Sequence, residues 1–260
     1  MTVRRLVLVV LVLLVLEAPV VPAQGTPTLA HTPIMHTRIV HAAATSTNWA
    51  GYAASGATFT DVRASWKQSA VKCLSAIPQA SSFWVGLDGY TPTSTSVEQI
   101  GTDSDCNGRK HPRYYAWYEV VPAPSIPLPA QDVVHAGDTM SAHVQGNGTV
   151  YTLALKDWTT GWHFSTQQTS ITAQDSSAEW VAEAPSTCFR FACQVMPLAE
   201  FGTVTFYNAT ATATSTTQPA TISTFAHDEI MMVTSSGLPK ARPSTLTNHG
   251  AQFTVGWVRT

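Results

Sequence analysis

The sequence predicts an all-β protein, an antiparallel β-sandwich, on three observations. From Ser46 onward, short runs rich in Val, Thr, Tyr, Phe and Trp recur, a composition that suits a pleated, half-buried surface. Gly, Pro, Asn and Asp punctuate those runs at turn spacing. Apolar residues three and four apart are scarce, and helix-sized windows are broken by Pro or by β-branched residues. A helical period therefore finds no long segment, and strands with one apolar face must bury it against a second sheet.

Taken in order, the chain begins with Arg4 and Arg5, an apolar run over residues 6–16, and small residues at Val21 and Ala23. This is the pattern of a signal peptide cleaved after Ala23, so residues 1–23 are set aside from the fold. Residues 24–44 hold Pro27, His31, Pro33, His36 and His41 in a Thr- and Ala-rich stretch without periodicity. They read as a propeptide or flexible leader, whose histidines would gain charge in acid and loosen an inhibitory contact. Residues 45–260 form one domain, a size common among sandwiches. Within it, 149–155, 203–210 and 252–258 combine strand composition with partial alternation. Residues 122–129 hold four prolines, too many for a central strand, and read as an ordered surface loop beside a cleft or a plain connection.

Composition narrows the partners. Only 12% of residues are charged and the net charge is −2, with no basic patch to meet nucleic acid. No run after the leader reaches the length of a membrane span, so a secreted, extracellular monomer is expected. Few carboxylates also means few groups that must change charge as pH falls. Four cysteines in an oxidising compartment read as disulfides rather than a zinc site, since none has metal-ligand spacing. Four cysteines allow three pairings. Cys188 and Cys193 flank four residues and are expected to close a small loop, leaving Cys73 and Cys106 to pair by elimination. Asn147-Gly148-Thr149 and Asn208-Ala209-Thr210 fit the glycosylation acceptor pattern.

The common hydrolase signatures are missing: no Gly-x-Ser-x-Gly elbow, no His-Glu-x-x-His helix, no Asp-Thr-Gly or Asp-Ser-Gly loop. His227-Asp228-Glu229 lacks ligand spacing. In Ser177-Ala178-Glu179-Trp180-Val181-Ala182-Glu183, strand alternation puts Glu179, Val181 and Glu183 on one face and Ala178, Trp180 and Ala182 on the other. The second face packs. The first, with two carboxylates, is either solvated, the reading that spacing alone favours, or lines a polar cleft. A second polar strand, Ser96-Val97-Glu98-Gln99-Ile100-Gly101, carries Gln99, which spacing alone would leave as an exposed strand residue.

The order of the segments adds a resemblance. Asn48-Trp49-Ala50-Gly51-Tyr52, Phe83-Trp84-Val85-Gly86-Leu87-Asp88-Gly89, Glu98-Gln99-Ile100-Gly101-Thr102-Asp103, Ala116-Trp117-Tyr118-Glu119 and Ala178-Glu179-Trp180-Val181-Ala182-Glu183 are similar, in register, to motifs of the glutamic peptidase (eqolisin) family, the scytalidoglutamic and aspergilloglutamic peptidases among them. The chain departs at Val120, where an aromatic is common, at Glu98, where an apolar residue is usual, and at Ala184, where an acid is common.

The resemblance implies a concanavalin-like sandwich of two bent antiparallel sheets, with the cleft on a concave face, and a secreted acid endopeptidase acting on polypeptide. It implies Glu183 as the general base and Gln99 as the oxyanion donor, with no cofactor or metal. Trp84, Asp88, Asp103, Trp117 and Glu119 match residues near the cleft. A carboxylate can take a proton from water, and a neutral amide can donate to an oxyanion without titrating in acid. The alternative from a different class is a secreted sandwich that binds or cleaves polysaccharide, with paired carboxylates as its catalysts.

Overall fold

The computed structural model describes residues 28–31, 36–40, 43–189, 192–216 and 218–260. The expected signal peptide lies outside the described residues. Twenty strands lie among the described residues: β1 (Thr28–Ala30), β2 (His36–Val40), β3 (Ala43–Ser46), β4 (Trp49–Ser55), β5 (Phe59–Lys67), β6 (Ser82–Leu87), β7 (Glu98–Cys106), β8 (Pro112–Val120), β9 (Ile126–Pro127) and β10 (Thr139–Gly146). They are followed by β11 (Val150–Asp157), β12 (His163–Thr169), β13 (Ser177–Glu183), β14 (Ser186–Phe189), β15 (Ala192–Val195), β16 (Thr203–Ala213), β17 (Ala220–Thr221), β18 (Ala226–Val233), β19 (Pro239–Pro243) and β20 (Phe253–Trp257). Two short 3₁₀ turns are the helical elements among the described residues.

Pairing traces two layers. One runs β9-β8-β7-β6-β13-β4-β18, and the other β12-β11-β10-β5-β16-β20-β19; the β18–β19 pair joins them. Among the described residues, every strand pairing is antiparallel except β3 against β18. Between the layers lies the main core, where Phe83, Val85, Leu87, Ile100 and Trp180 of the first meet Phe59, Trp66, Leu153 and Phe206 of the second. The opposite face of the first layer carries a smaller apolar cluster, with Trp49, Ala53, Trp84, Trp117 and Val181. Alternation along β13 explains this: Ala178, Trp180 and Ala182 enter the core while Val181 faces the other way.

Glycine is required where β4 meets β13. A Cβ at Gly51, at φ +148°, would stand 2.1 Å from the Trp180 carbonyl oxygen, so only glycine fits.

The expected strands form as Val150–Asp157, Thr203–Ala213 and Phe253–Trp257. The proline-rich stretch is largely exposed, as expected of a loop, yet its Leu128 is buried in the core and its Ile126–Pro127 pairs with Trp117 and Tyr118 at the edge of the site layer. An edge position tolerates proline because the missing N–H faces outward. Both expected disulfides are present, Cys73–Cys106 and Cys188–Cys193.

The segment 24–44, which shows no sequence period, nonetheless supplies strands. β1 pairs with β14, and β2 and β3 pair with each other before β3 reaches β18. Pairing with an existing edge draws on main-chain groups, which no side-chain period reveals.

Candidate active site

Register brings the expected site residues onto one face of the first layer. One lateral row reads Glu183, Ser82, Asp103 and Tyr115 across β13, β6, β7 and β8. The next reads Val181, Trp84, Gly101 and Trp117, and the third Glu179, Gly86, Gln99 and Glu119. Glu183 and Gln99 therefore stand in the outer rows, on strands separated by β6. The middle row between them holds Gly101, where a Cβ would come within 2.5 Å of the Trp84 Cβ. Glycine there lets the indole of Trp84 lie across the floor of the site.

That indole has a polar task. Its Nε1–H donates to Glu183 Oε2 at 2.9 Å, and the Asn48 amide stands 3.5 Å from Oε1. Asn48 is fixed in turn by Ser46, whose hydroxyl donates to its side-chain oxygen and accepts from its backbone N–H. Glu183, Gln99, Asn48 and Trp84 are all fully buried. The carboxylate face of β13, which spacing alone favoured as solvated, is closed over.

Over Glu183 and Gln99 the contacts come from His31, which directly follows β1. The Gln99 amide donates to the backbone carbonyl of His31 at 2.8 Å. The His31 N–H donates to Glu119 Oε2 at 2.9 Å, and the His31 Nδ1 lies 3.3 Å from Glu183 Oε2. The imidazole is stacked on Trp117, with ring centroids 3.4 Å apart and planes 3° from parallel.

Burial sets the local charges. It holds the Glu183 carboxyl well above the usual carboxylate range, with the Glu119 charge adding to the rise and Trp84 and Asn48 opposing it. It pushes Glu119 up to about 8 and Asp103 up to about 7, against the donors each carboxyl meets. It lowers the His31 imidazole well below 6.5.

Asp103 accepts from Ser82 at 2.6 Å and from the Trp117 indole, and Tyr115 donates to its other oxygen at 2.7 Å. It anchors the Trp117 platform. Asp88 stands apart from this network. At φ +67° it ends β6, and its carboxylate accepts from the backbone N–H groups of Gln174, Asp175 and Ser176 and from the Ser176 hydroxyl. That carboxylate shapes the loop leading into β13.

Residues 47–252 match the family model described as the Peptidase A4 family. The chain belongs to this family. Aspergillopepsin-2 of Aspergillus niger is 30% identical over 143 residues, 53% of this chain and 48% of that protein, so the chain spans about half the length of this curated relative. Aspergilloglutamic peptidase from Aspergillus niger shares 25% identity at a TM-score of 0.58, covering 69% of this chain and 99% of that one. Scytalido-glutamic peptidase with a transition state analog inhibitor superposes at TM-score 0.70 with 24% identity, over 82% and 98% of the two chains. SCP-B, an eqolisin solved with the tripeptide Ala-Ile-His, gives 0.66 and 23% over the same shares. The last two likenesses establish the sandwich fold.

Of the residues the sequence reading named, the fold brings Glu183, Gln99, Trp84, Trp117, Glu119 and Asp103 to one face, while Asp88 stands apart, its carboxylate on the loop at 174–176. That reading assigned no role to Asn48, although the residue opens the first motif. It gave His31 no place in the cleft, because nothing local in 24–44 marks one histidine from its neighbours.

Proposed function

We propose that this Peptidase A4 chain is a secreted acid endopeptidase in which Glu183 activates water and Gln99 stabilises the oxyanion. The observation that carries the reading is that the Gln99 amide already donates to a backbone carbonyl, that of His31, in a cleft where the same residue's ring reaches Glu183. A peptide carbonyl of a substrate, in the place of His31, would meet the same donor. As water adds to that carbonyl, Glu183 takes the water proton and the developing negative charge falls on the oxygen held by Gln99. Glu183, now protonated, passes its proton to the leaving nitrogen as the C–N bond breaks, yielding a carboxylic acid and an amine.

Two features support these roles. The Trp84 and Asn48 donors favour ionised Glu183 once solvent or substrate enters. The Gln99 side-chain oxygen is buried without a protein partner among the described residues, so it is free to accept from the attacking water. Glu119, beside Gln99 at 3.4 Å, accepts from a bound peptide's N–H as it does from His31. The two disulfides accord with secretion.

The test is hydrolysis of an acid-denatured protein, run beside a soluble glucan. Cleavage of protein alone, abolished in Glu183→Gln, is expected. Glucan cleavage, or proteolysis that survives Glu183→Gln, overturns the proposal.

A further inference from the structure

Away from the cleft, one cation lies inside the fold without an anion. Lys240 on β19 is the one buried Lys or Arg among the described residues, at 6% exposure. None of the ion pairs among the described residues includes it. Its Nζ donates to the Thr47 carbonyl at a long 3.4 Å, and no second hydrogen bond reaches it among the described residues. An ammonium carries three donors and is strongly hydrated in water, so a buried one is costly until an anion or further acceptors meet it.

The amine borders a cavity of about 510 Å³ between the end of β15, the turn from β18 to β19, and Thr47. Met196, Pro197 and Val233 give the cavity an apolar wall, and Gln194 and Ser235 a polar one. Thr260 also borders it, with its hydroxyl turned to the Gln79 amide. No acidic residue and no titratable side chain besides Lys240 lines it. None of the residues gathered around Glu183 and Gln99 lines it either. We propose that this cavity binds an organic carboxylate with a compact apolar body, that Lys240 is its counter-ion, and that the C-terminal end of a peptide is the ligand.

The lining selects this class. A single ammonium balances a single negative charge, and the N–H groups that Thr47 leaves unused supply charge-assisted bonds to two carboxylate oxygens. Phosphate has polar oxygens on every side and nothing to set against Met196, Pro197 and Val233, and the cavity holds no arginine fork to grip it. The Gln194 amide and the Ser235 hydroxyl can meet the amide group that precedes a peptide's terminal carboxylate, a group that a simple apolar acid lacks. Burial lowers the Lys240 amine to about 8, which leaves it a cation at pH 6, where a carboxylic acid is ionised. The site does not depend on the roles given to Glu183 and Gln99.

The experiment is calorimetric titration of the full chain at pH 6 with acetyl-Ala-Leu and with its C-terminal amide. The acid should bind saturably and the amide about tenfold or more weakly, the loss of one charge-assisted pair. Lys240→Met, with its melting temperature checked, should lose this preference. A second measurement reports on the site itself, and decides the matter even where Lys240→Met does not fold: acetylation of the Lys240 amine by acetic anhydride at pH 7.5, mapped by mass spectrometry. Saturating acetyl-Ala-Leu should slow that reaction severalfold, isovalerate less, and the amide or inorganic phosphate not at all. Equal binding of acid and amide, a preference for the acid that survives in folded Lys240→Met, or a Lys240 amine left unprotected by the acid overturns the proposal. Protection by isovalerate equal to that by the peptide acid overturns the peptide as ligand, and equal protection by phosphate overturns the carboxylate.

Discussion

The two ends of β13 carry the same residue in opposite circumstances. Glu183 and Glu179 share one strand and one face, both are fully buried, and burial raises both well above the usual carboxylate range. Around Glu183 stand an indole N–H, an amide and an imidazole. No hydrogen bond of good geometry reaches the oxygens of Glu179 among the described residues; the nearby Ser177 hydroxyl eases its burial only in part, and Asp88 and Glu98 push its proton affinity higher. Burial alone yields a neutral acid that packs. Burial beside donors yields an acid that can ionise when its surroundings change, which a catalytic base requires.

The largest effects should fall at the donor-rich end. Glu183→Gln preserves shape but removes both base and acid, and turnover at acid pH should drop toward the upper end of the roughly 10²–10⁴ range for such groups. Gln99→Ala should cost about 10²–10³ in kcat by loss of the oxyanion donor. Steady-state kinetics at matched folding checks both. A KM change with kcat intact would reduce Gln99 to a binding group and blunt the contrast between the two ends.

The next effect concerns stability. Glu98 is pushed up to about 8 by burial, with Ser170 and Ser96 easing and Asp88 and Asp175 adding to the rise. Glu119 at about 8 and Asp103 at about 7 join it, as do Glu179, Glu183 and Asp105, all raised by burial. Their folded values exceed the unfolded ones, so their contribution is fully present below about pH 4 and lost as pH rises toward 7 to 8. Each group can remove up to about 1.4 kcal/mol per pH unit over that window. The melting temperature should therefore fall steadily from pH 4 to pH 8. A flat or rising profile would show that these carboxyls ionise without penalty and that the two ends of β13 do not differ as described. Glu98→Gln should lessen the fall, since its amide has no proton to lose.

The strands and the packing face of β13 were legible in the sequence because a period of two is written locally. The cleft was legible in part. Glu183 and Gln99 are 84 positions apart, and only the register through β6 brings them to one face, so composition marked neither and the resemblance marked both. Asn48 stayed silent because its task, a 3.5 Å approach to Glu183, depends on the β4–β13 pairing. His31 stayed silent for a different reason: β1 is held by main-chain pairing to an edge, which any sequence without an obstructing proline can supply. Asp88 looked like a site residue because its motif runs beside the cleft, yet its oxygens are consumed by the loop at 174–176.

The smallest expected effect is the one that tests the comparison most directly. Glu179 lies in the same lateral row as Gln99, with Gly86 between them, so by position alone it rivals Glu183 as the partner of the amide. What separates them is that Glu179 has only the Ser177 hydroxyl to ease its ionisation, where Glu183 has an indole N–H and an amide. Glu179→Gln replaces a neutral acid by a neutral amide of nearly equal volume, and activity at acid pH should stay within a few-fold of the parent. The same substitution removes a group that must ionise at cost as pH rises, so the melting temperature near pH 8 should rise relative to the parent while that at pH 3 changes little. Activity and the pH dependence of stability thus move independently at this position. A large activity loss in Glu179→Gln with its melting temperature at pH 3 unchanged would place the proton transfer in the row of Gln99 and make Glu183 the structural acid.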